Sequence, residues 1–181
     1  MKKVLTSLLI LNATLLATPP TYVNMSYSQL THSNNGTVSD FDPTAFKWTI
    51  GQVIKEYNTF NLALEGTAML GVQHEKKTSV ASSTVGTFTN ASIALDTLYN
   101  INLKATLPIL DTFSFATYLG VSRGKMELTA TNNTPNNAYK NAITYGAGLE
   151  YNIIPSISIH LDYMQYFRNL HALELGLGFR F

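Results

Sequence analysis

The run from Leu170 to Phe181 sorts into two chemically opposite faces when read two residues at a time. Leu173, Leu175, Leu177, Phe179 and Phe181 fall on one side. Ala172, Glu174, Gly176, Gly178 and Arg180 fall on the other. Side chains of a β-strand point alternately to the two faces of a sheet, so this strand has one wholly apolar face and one small or charged face. A soluble protein buries the first and wets the second. A transmembrane barrel inverts the arrangement and shows the apolar face to lipid. A strand that ends on an aromatic residue, with no tail to cover it, points to the inverted case.

The same alternation recurs along the chain. Phe46, Trp48, Ile50 and Ile54 oppose Lys47, Thr49, Gly51 and Val53; Phe60, Leu62, Leu64, Gly66, Ala68 and Leu70 oppose Asn61, Ala63, Glu65 and Thr67. Between 91 and 105, Ile93, Leu95, Tyr99, Ile101 and Leu103 oppose Ser92, Asp96, Asn100, Asn102 and Lys104. Runs at 113–122, 143–153 and 157–163 follow the same rule, and a less regular one at 22–30 sets Val23, Met25 and Tyr27 outward. Gln52 breaks the pattern on the apolar face; Leu98 and Tyr118 break it on the polar face. With the terminal run, the count is about eight strands, as in the smallest membrane barrels.

Connections alternate as well. Short turns are expected at 55–59, 108–112 and 154–156, which carry Asn, Asp or Pro. Longer polar loops rich in Asn, Thr, Ser and Gly are expected at 31–44, 75–89 and 128–140, with a tight fourth connection at Arg168 and Asn169. Short turns on one side and long loops on the other is the outer-membrane arrangement, with the long loops outside the cell. An even strand count places both chain ends on the side of the short turns. Period-two alternation outruns helical spacing throughout, and no composition shift marks a second domain.

Composition agrees. Charged residues make up only 13% of the chain, about half the usual share of a soluble domain. The net charge of +1 gives no basic stripe and no reason to expect nucleic acid. The chain has no cysteine, which excludes disulfides and thiolate metal sites. Lys2 and Lys3 precede a mostly apolar stretch from Val4 to Ala17, too short to span a bilayer and of signal-peptide length. The expected organisation is a cleaved signal peptide at 1–17 and one barrel domain at 18–181, exported to the outer membrane.

The expected inward face carries Lys47, Glu65, Asp96, Lys104, Glu150, His160, Asp162, Glu174 and Arg180. Charges there are tolerable only when paired or hydrated. An eight-stranded barrel is just wide enough for side chains to fill it, so the expectation is a sealed polar interior cross-linked by ion pairs. A narrow conduit is the alternative, and its acidic excess would favour cations. His160 and Asp162 share a face, but two residues do not make a metal site. No nucleophile, base and orienting acid come together, and neither enzyme activity nor a cofactor is expected. On the outward face, Tyr27, Trp48, Tyr99, Phe113, Tyr145, Tyr151, Tyr163, Phe179 and Phe181 read as aromatic girdles at the membrane interfaces.

The segments Phe46 to Gly51, Leu62 to Gly66, Tyr145 to Tyr151 and Gly176 to Phe181, in that order with turns between, resemble the small OmpA-like and opacity-type outer-membrane barrel family. The resemblance runs from about Tyr22 to Phe181 and implies an eight-stranded up-and-down barrel. It also implies that Phe181, with Leu177 and Phe179, is a signal to the barrel-assembly machinery. The family usually carries basic residues in the lumen where Tyr118 and His160 stand here, so the resemblance does not extend to a gating ion pair. Expected partners are outer-membrane lipid and lipopolysaccharide, the assembly machinery, and host surface molecules reached through the loops. The expected role is structural and surface-interacting, adhesin-like. Competing readings are a small low-conductance porin and a soluble lipocalin-like binder. In the last of these Leu62, Leu64, Leu175 and Leu177 would line a cavity, while Glu65, Glu150 and Glu174 would face water.

Overall fold

The computed structural model describes residues 20–32, 42–73, 75–82, 86–130, 133–136 and 139–181. The expected signal peptide and most of the loop expected at 31–44 lie outside the described residues. Every described element is a β-strand: β1 (Thr21–His32), β2 (Thr44–Glu56), β3 (Asn61–Gln73), β4 (Glu75–Ser82), β5 (Gly86–Pro108), β6 (Phe113–Ala130), β7 (Asn133–Asn136), β8 (Tyr139–Ile154), β9 (Ile157–Phe167) and β10 (Leu170–Arg180).

Eight of them, β1, β2, β3, β5, β6, β8, β9 and β10, pair antiparallel in that order, and β1 pairs with β10 to close the barrel. Closure gives each of these eight strands a neighbour on both sides. The register at the seam sets Tyr22 opposite Arg180 and Met25 opposite Leu177, and the Phe181 amide donates to the Thr21 carbonyl at 2.8 Å. The backbone hydrogen bonding at the seam thus continues one residue past the end of β10.

The connections at the end of the barrel that holds Thr21 and Phe181 (the turn end) are short. Residues 57–60 form one, tied by the Tyr57 amide to the Phe60 carbonyl at 2.9 Å and by stacking of the two rings. Residues 109–112 form the next, and Pro155 and Ser156 the third. At the opposite, loop end, Arg168 and Asn169 alone join β9 to β10.

Two of the expected long loops are largely strand. The segment expected as a loop at 75–89 holds β4 and the start of β5, which pair with each other from Glu75 opposite Ile93 to Ser82 opposite Gly86. The segment expected at 128–140 includes the end of β6 and β7, which pair at Leu128 and Asn136. These segments are polar, which hides them from a search for apolar alternation. Their content of Thr, Val and Phe still suits a β-ladder. As a result β5 runs for 23 residues and β6 for 18, against roughly 9–11 needed to cross a bilayer. One side of the barrel wall therefore stands well beyond the apolar band.

Burial confirms the inversion. Leu64, Leu175 and Leu177 are about half exposed on the outside, whereas Glu65, Glu150 and Glu174 are buried within. This overturns the lipocalin-like reading, which needs the opposite orientation.

Candidate functional site: a layered polar lumen

The lumen carries most of the charge-bearing residues singled out from alternation. Lys47, Glu65, Lys104, Glu150, His160, Asp162 and Glu174 are all buried inside the barrel. They come from the inward faces of β2, β3, β5, β8, β9 and β10, and the closed register brings them together in layers.

Nearest the turn end, Lys104 on β5 stands 3.0 Å from the Glu150 carboxylate on β8 and 3.9 Å from that of Glu65 on β3. The Tyr22 hydroxyl donates to Glu65 at 2.7 Å. The Lys104 ammonium also lies 5.1 Å from the centre of the Tyr22 ring and 5.7 Å from that of Tyr118, positions in which ring faces attract a cation. Arg180 reaches Glu150 at 3.4 Å from the rim, with its side chain nearly half exposed. A cavity of about 60 Å³ opens beside this layer, bordered by Tyr22, Glu56, Lys104, Glu150 and Arg180.

In the middle, Asp162 accepts from the Tyr118 hydroxyl at 2.9 Å, while its other oxygen lies 2.8 Å from His160 Nδ1. Further toward the loop end, Glu174 is fully buried between the Lys47 ammonium, which donates to one carboxylate oxygen, and the Tyr166 hydroxyl, which donates to the other at 2.6 Å. Thr49 and Thr67 share a hydrogen bond of 2.9 Å across β2 and β3. Ser26, Ser28, Asn100 and Thr144 present buried polar atoms with no protein partner among the described residues. Such groups are satisfied by ordered water where space allows.

Above this layer the lumen becomes apolar. Leu30, Met69, Leu98, Met164, Leu170 and the ring of Tyr166 pack into one cluster, each at most 1% exposed. The Leu30 amide is tied to the Pro43 carbonyl at 2.9 Å, which holds this end of the wall together. The polar lumen is thus bounded on the loop side by a hydrocarbon layer.

Two glycines make the polar layers possible. A Cβ at Gly148 would overlap the Asp162 carboxylate, and one at Gly51 would overlap the Tyr22 ring. Both lie in strands where neighbouring lumen positions carry bulky groups, so a small residue opposite a large one fills the narrow cross-section.

One expected member of the polar set lies elsewhere. Asp96 is exposed on the outer wall and pairs with Lys125 at 2.8 Å, while Leu95 is buried inside, the reverse of the expected phase. The cause is a β-bulge between Leu95 and Thr97, where β5 carries one residue more than β6. An extra residue flips every side chain beyond it to the other face. Conversely, Tyr22 and Tyr166 were not singled out from sequence. Extending the phase of His160 and Asp162 through Met164 would have found Tyr166.

On the outside, Tyr27, Trp48, Tyr99, Tyr145 and Tyr163 lie toward the loop end, and Phe113, Tyr151, Phe179 and Phe181 toward the turn end. Apolar side chains such as Ile50, Ile101, Leu119, Leu161 and Leu175 fill the band between them. No cluster of three or more metal-ligating side chains occurs among the described residues.

The chain matches the family described as "Outer membrane protein beta-barrel domain" over residues 4–181. No relative is found among curated proteins. Among solved structures, it is similar to the attachment invasion locus protein Ail of Yersinia pestis, crystallised in complex with the heparin analogue sucrose octasulfate. That likeness has a TM-score of 0.61 at 17% identity and covers 90% of this chain and 98% of that one. A major outer membrane protein from Thermus thermophilus gives a TM-score of 0.53 at 11% identity, covering 91% and 100%. The N-terminal β-barrel domain of Pseudomonas aeruginosa OprF gives 0.50 at 12% identity, covering 88% and 97%. These likenesses establish the shared fold.

Proposed function

The chain belongs to the outer membrane protein β-barrel domain family, and from that membership we propose that it is a surface-interaction protein of adhesin-like type. In this reading the barrel is a rigid lipid-embedded scaffold, and the tall wall formed by β4, β5, β6 and β7 is the working part. The single observation that carries the reading is the combination of that wall with a lumen closed by the Leu30, Met69, Leu98 and Met164 layer. A protein whose business was passage would leave its lumen open. One whose business is contact extends outward.

In the same reading, residues 1–17 are a cleaved signal peptide, the outward aromatics anchor the two membrane interfaces, and Leu177, Phe179 and Phe181 form the signal read by the assembly machinery. Host surface molecules meet the extended wall. The complex of Ail with a heparin analogue makes a sulfated polysaccharide the first ligand to test.

The test compares proteoliposomes carrying the full chain with a variant in which residues 75–92 are replaced by a tight turn. Both are checked for heat-modifiable gel migration and then measured for binding to immobilised heparin and to cultured host cells. The full chain binds and the shortened one does not. Equal binding by both would overturn the reading.

A low-conductance porin is the second reading, favoured by the excess of buried acids over buried lysines in the lumen. Frequent cation-selective open events in planar bilayers, abolished by Glu150→Gln, would establish it over the first.

A further inference from the structure

We propose that the outer wall carries a binding groove for an anionic, phosphate-bearing lipid of the outer leaflet, with Arg123 as the headgroup ligand and Trp48 as one wall. The proposal rests on the membrane-embedded reading of the barrel and goes beyond it by assigning a site.

The groove follows from side-chain size in two neighbouring rows of the wall. The register lines up Ile50, Gly66, Ile101 and Val121 in one row, and Trp48, Ala68, Tyr99 and Arg123 in the row next to it on the loop side. On β3 both rows present almost nothing: a Cβ placed on Gly66 would meet no atom within 4 Å. Large side chains on β2 and β5 stand on either side, so the wall is indented. From this indentation a surface hollow of about 610 Å³ extends across β5 to Val121, Arg123 and Asn141. Lipid chains must fill any such hollow in the apolar band, and a narrow trough with aromatic walls orders one chain more than a smooth wall does.

Charge identifies the headgroup. On β6 the outward residues Leu119 and Val121 are apolar and Arg123 follows them, which puts its guanidinium at the loop-side border of the apolar band. The neighbouring Lys125 is paired with Asp96. Arg123 instead lies over the Tyr139 ring at 5.0 Å and has no carboxylate partner among the described residues. A ring on one face of the guanidinium does not engage its in-plane donors, and their fork geometry matches a phosphate. The positive end of the groove is thus at headgroup height and its apolar part is at acyl-chain height.

Trp48 is the only tryptophan in the chain, so its fluorescence reports on the groove alone. The protein is reconstituted in phosphatidylcholine vesicles containing a minor fraction of dibrominated lipid, either phosphatidylglycerol or phosphatidylcholine. Bromine quenches indole on contact. The apparent affinity for the anionic lipid should exceed that for the zwitterionic one about fivefold, as a charge-assisted contact at a wet interface allows. Arg123→Gln and Arg123→Met should bring the two lipids level. Lys125→Gln should leave the preference intact, because that lysine is already engaged. Ala68→Leu, which fills the trough while keeping the charge, should reduce quenching by the anionic lipid more than by the zwitterionic one.

Equal quenching by the two lipids in the unaltered protein would overturn the proposal, as would a preference that survives both Arg123 variants. Absence of quenching by either lipid would mean that the groove is covered by something else, such as a second copy of the chain, and would also overturn it. Heat-modifiable migration of each variant separates loss of the site from loss of the barrel. Failure of heparin binding in the shortened-wall experiment has no bearing on these outcomes.

Discussion

The Lys104 ammonium lies 3.0 Å from the Glu150 carboxylate and ties β5 to β8 across the lumen, over the intervening strand β6. Glu65 shares the same ammonium from the other side at 3.9 Å. Replacing Lys104 with Met would leave the buried Glu65 carboxylate without its cation and Glu150 with only the half-exposed Arg180 at 3.4 Å. Removing one partner of a buried pair costs about 3–5 kcal/mol. The double variant Lys104→Met with Glu150→Gln removes one of the stranded charges and should recover part of that loss. Urea unfolding in detergent micelles, followed by tryptophan emission, measures both.

Glu174 offers a second test at the other end of the polar layers. Its carboxylate is fully buried and accepts from both Lys47 and the Tyr166 hydroxyl. Tyr166→Phe keeps the ring in the apolar cluster and removes one donor only. An unmet hydrogen bond to a buried charged group costs about 1–3 kcal/mol. The expected outcome is a lower unfolding midpoint with unchanged strand content. A variant as stable as the parent would mean that water replaces the hydroxyl at no cost.

Two glycines of opposite setting form a matched pair. At Gly148 a methyl group would overlap the Asp162 carboxylate, whereas at Gly66 it would project into open space on the lipid side. Gly148→Ala therefore pushes Asp162 away from Tyr118 and His160, with the cost of about 1–3 kcal/mol typical of overpacking. Gly66→Ala should stay within about 0.5 kcal/mol of the parent, as exposed substitutions do. Heat-modifiable gel migration as a function of temperature ranks the three proteins.

Alternation made legible the quantities that depend on one strand at a time. Which face of each strand is apolar, which residues are outward aromatics, and the inward phase of Lys47, Glu65, Lys104, Glu150, His160, Asp162 and Glu174 all follow from period two. Which of these meet across the lumen depends on the stagger between strands, a property of the closed barrel that no single strand carries. The pairing of Lys47 with Glu174, from β2 and β10, joins strands far apart in the sequence and adjacent to the same seam strand β1. The apolar loop-side layer was hidden because Leu30, Met69 and Met164 sit at strand ends, where alternation is hard to distinguish from the start of a loop. The hairpin extensions escaped for a related reason: the sequences at 75–89 and 128–140 are polar and carry no apolar alternation to mark a strand.

The bulge at Leu95 to Thr97 supplies the sharpest contrast between a phase read from sequence and the phase in the barrel. Continuous alternation puts Asp96 in the lumen, where losing its charge would disturb a buried network. The bulge instead puts it outside, paired with Lys125, with its side chain 43% exposed. Exposed pairs contribute about 0–1 kcal/mol and are screened by salt. Asp96→Asn should therefore shift the unfolding free energy by less than about 1 kcal/mol, and the shift should shrink further in high salt. Glu150→Gln, at a site that truly faces inward beside Lys104, should cost several kcal/mol by comparison, because it strands part of a buried ammonium's charge. The measurement is parallel urea unfolding of both variants at low and high ionic strength. If Asp96→Asn proved as damaging as Glu150→Gln, and insensitive to salt, the strand would be in continuous phase and the bulge would be wrong.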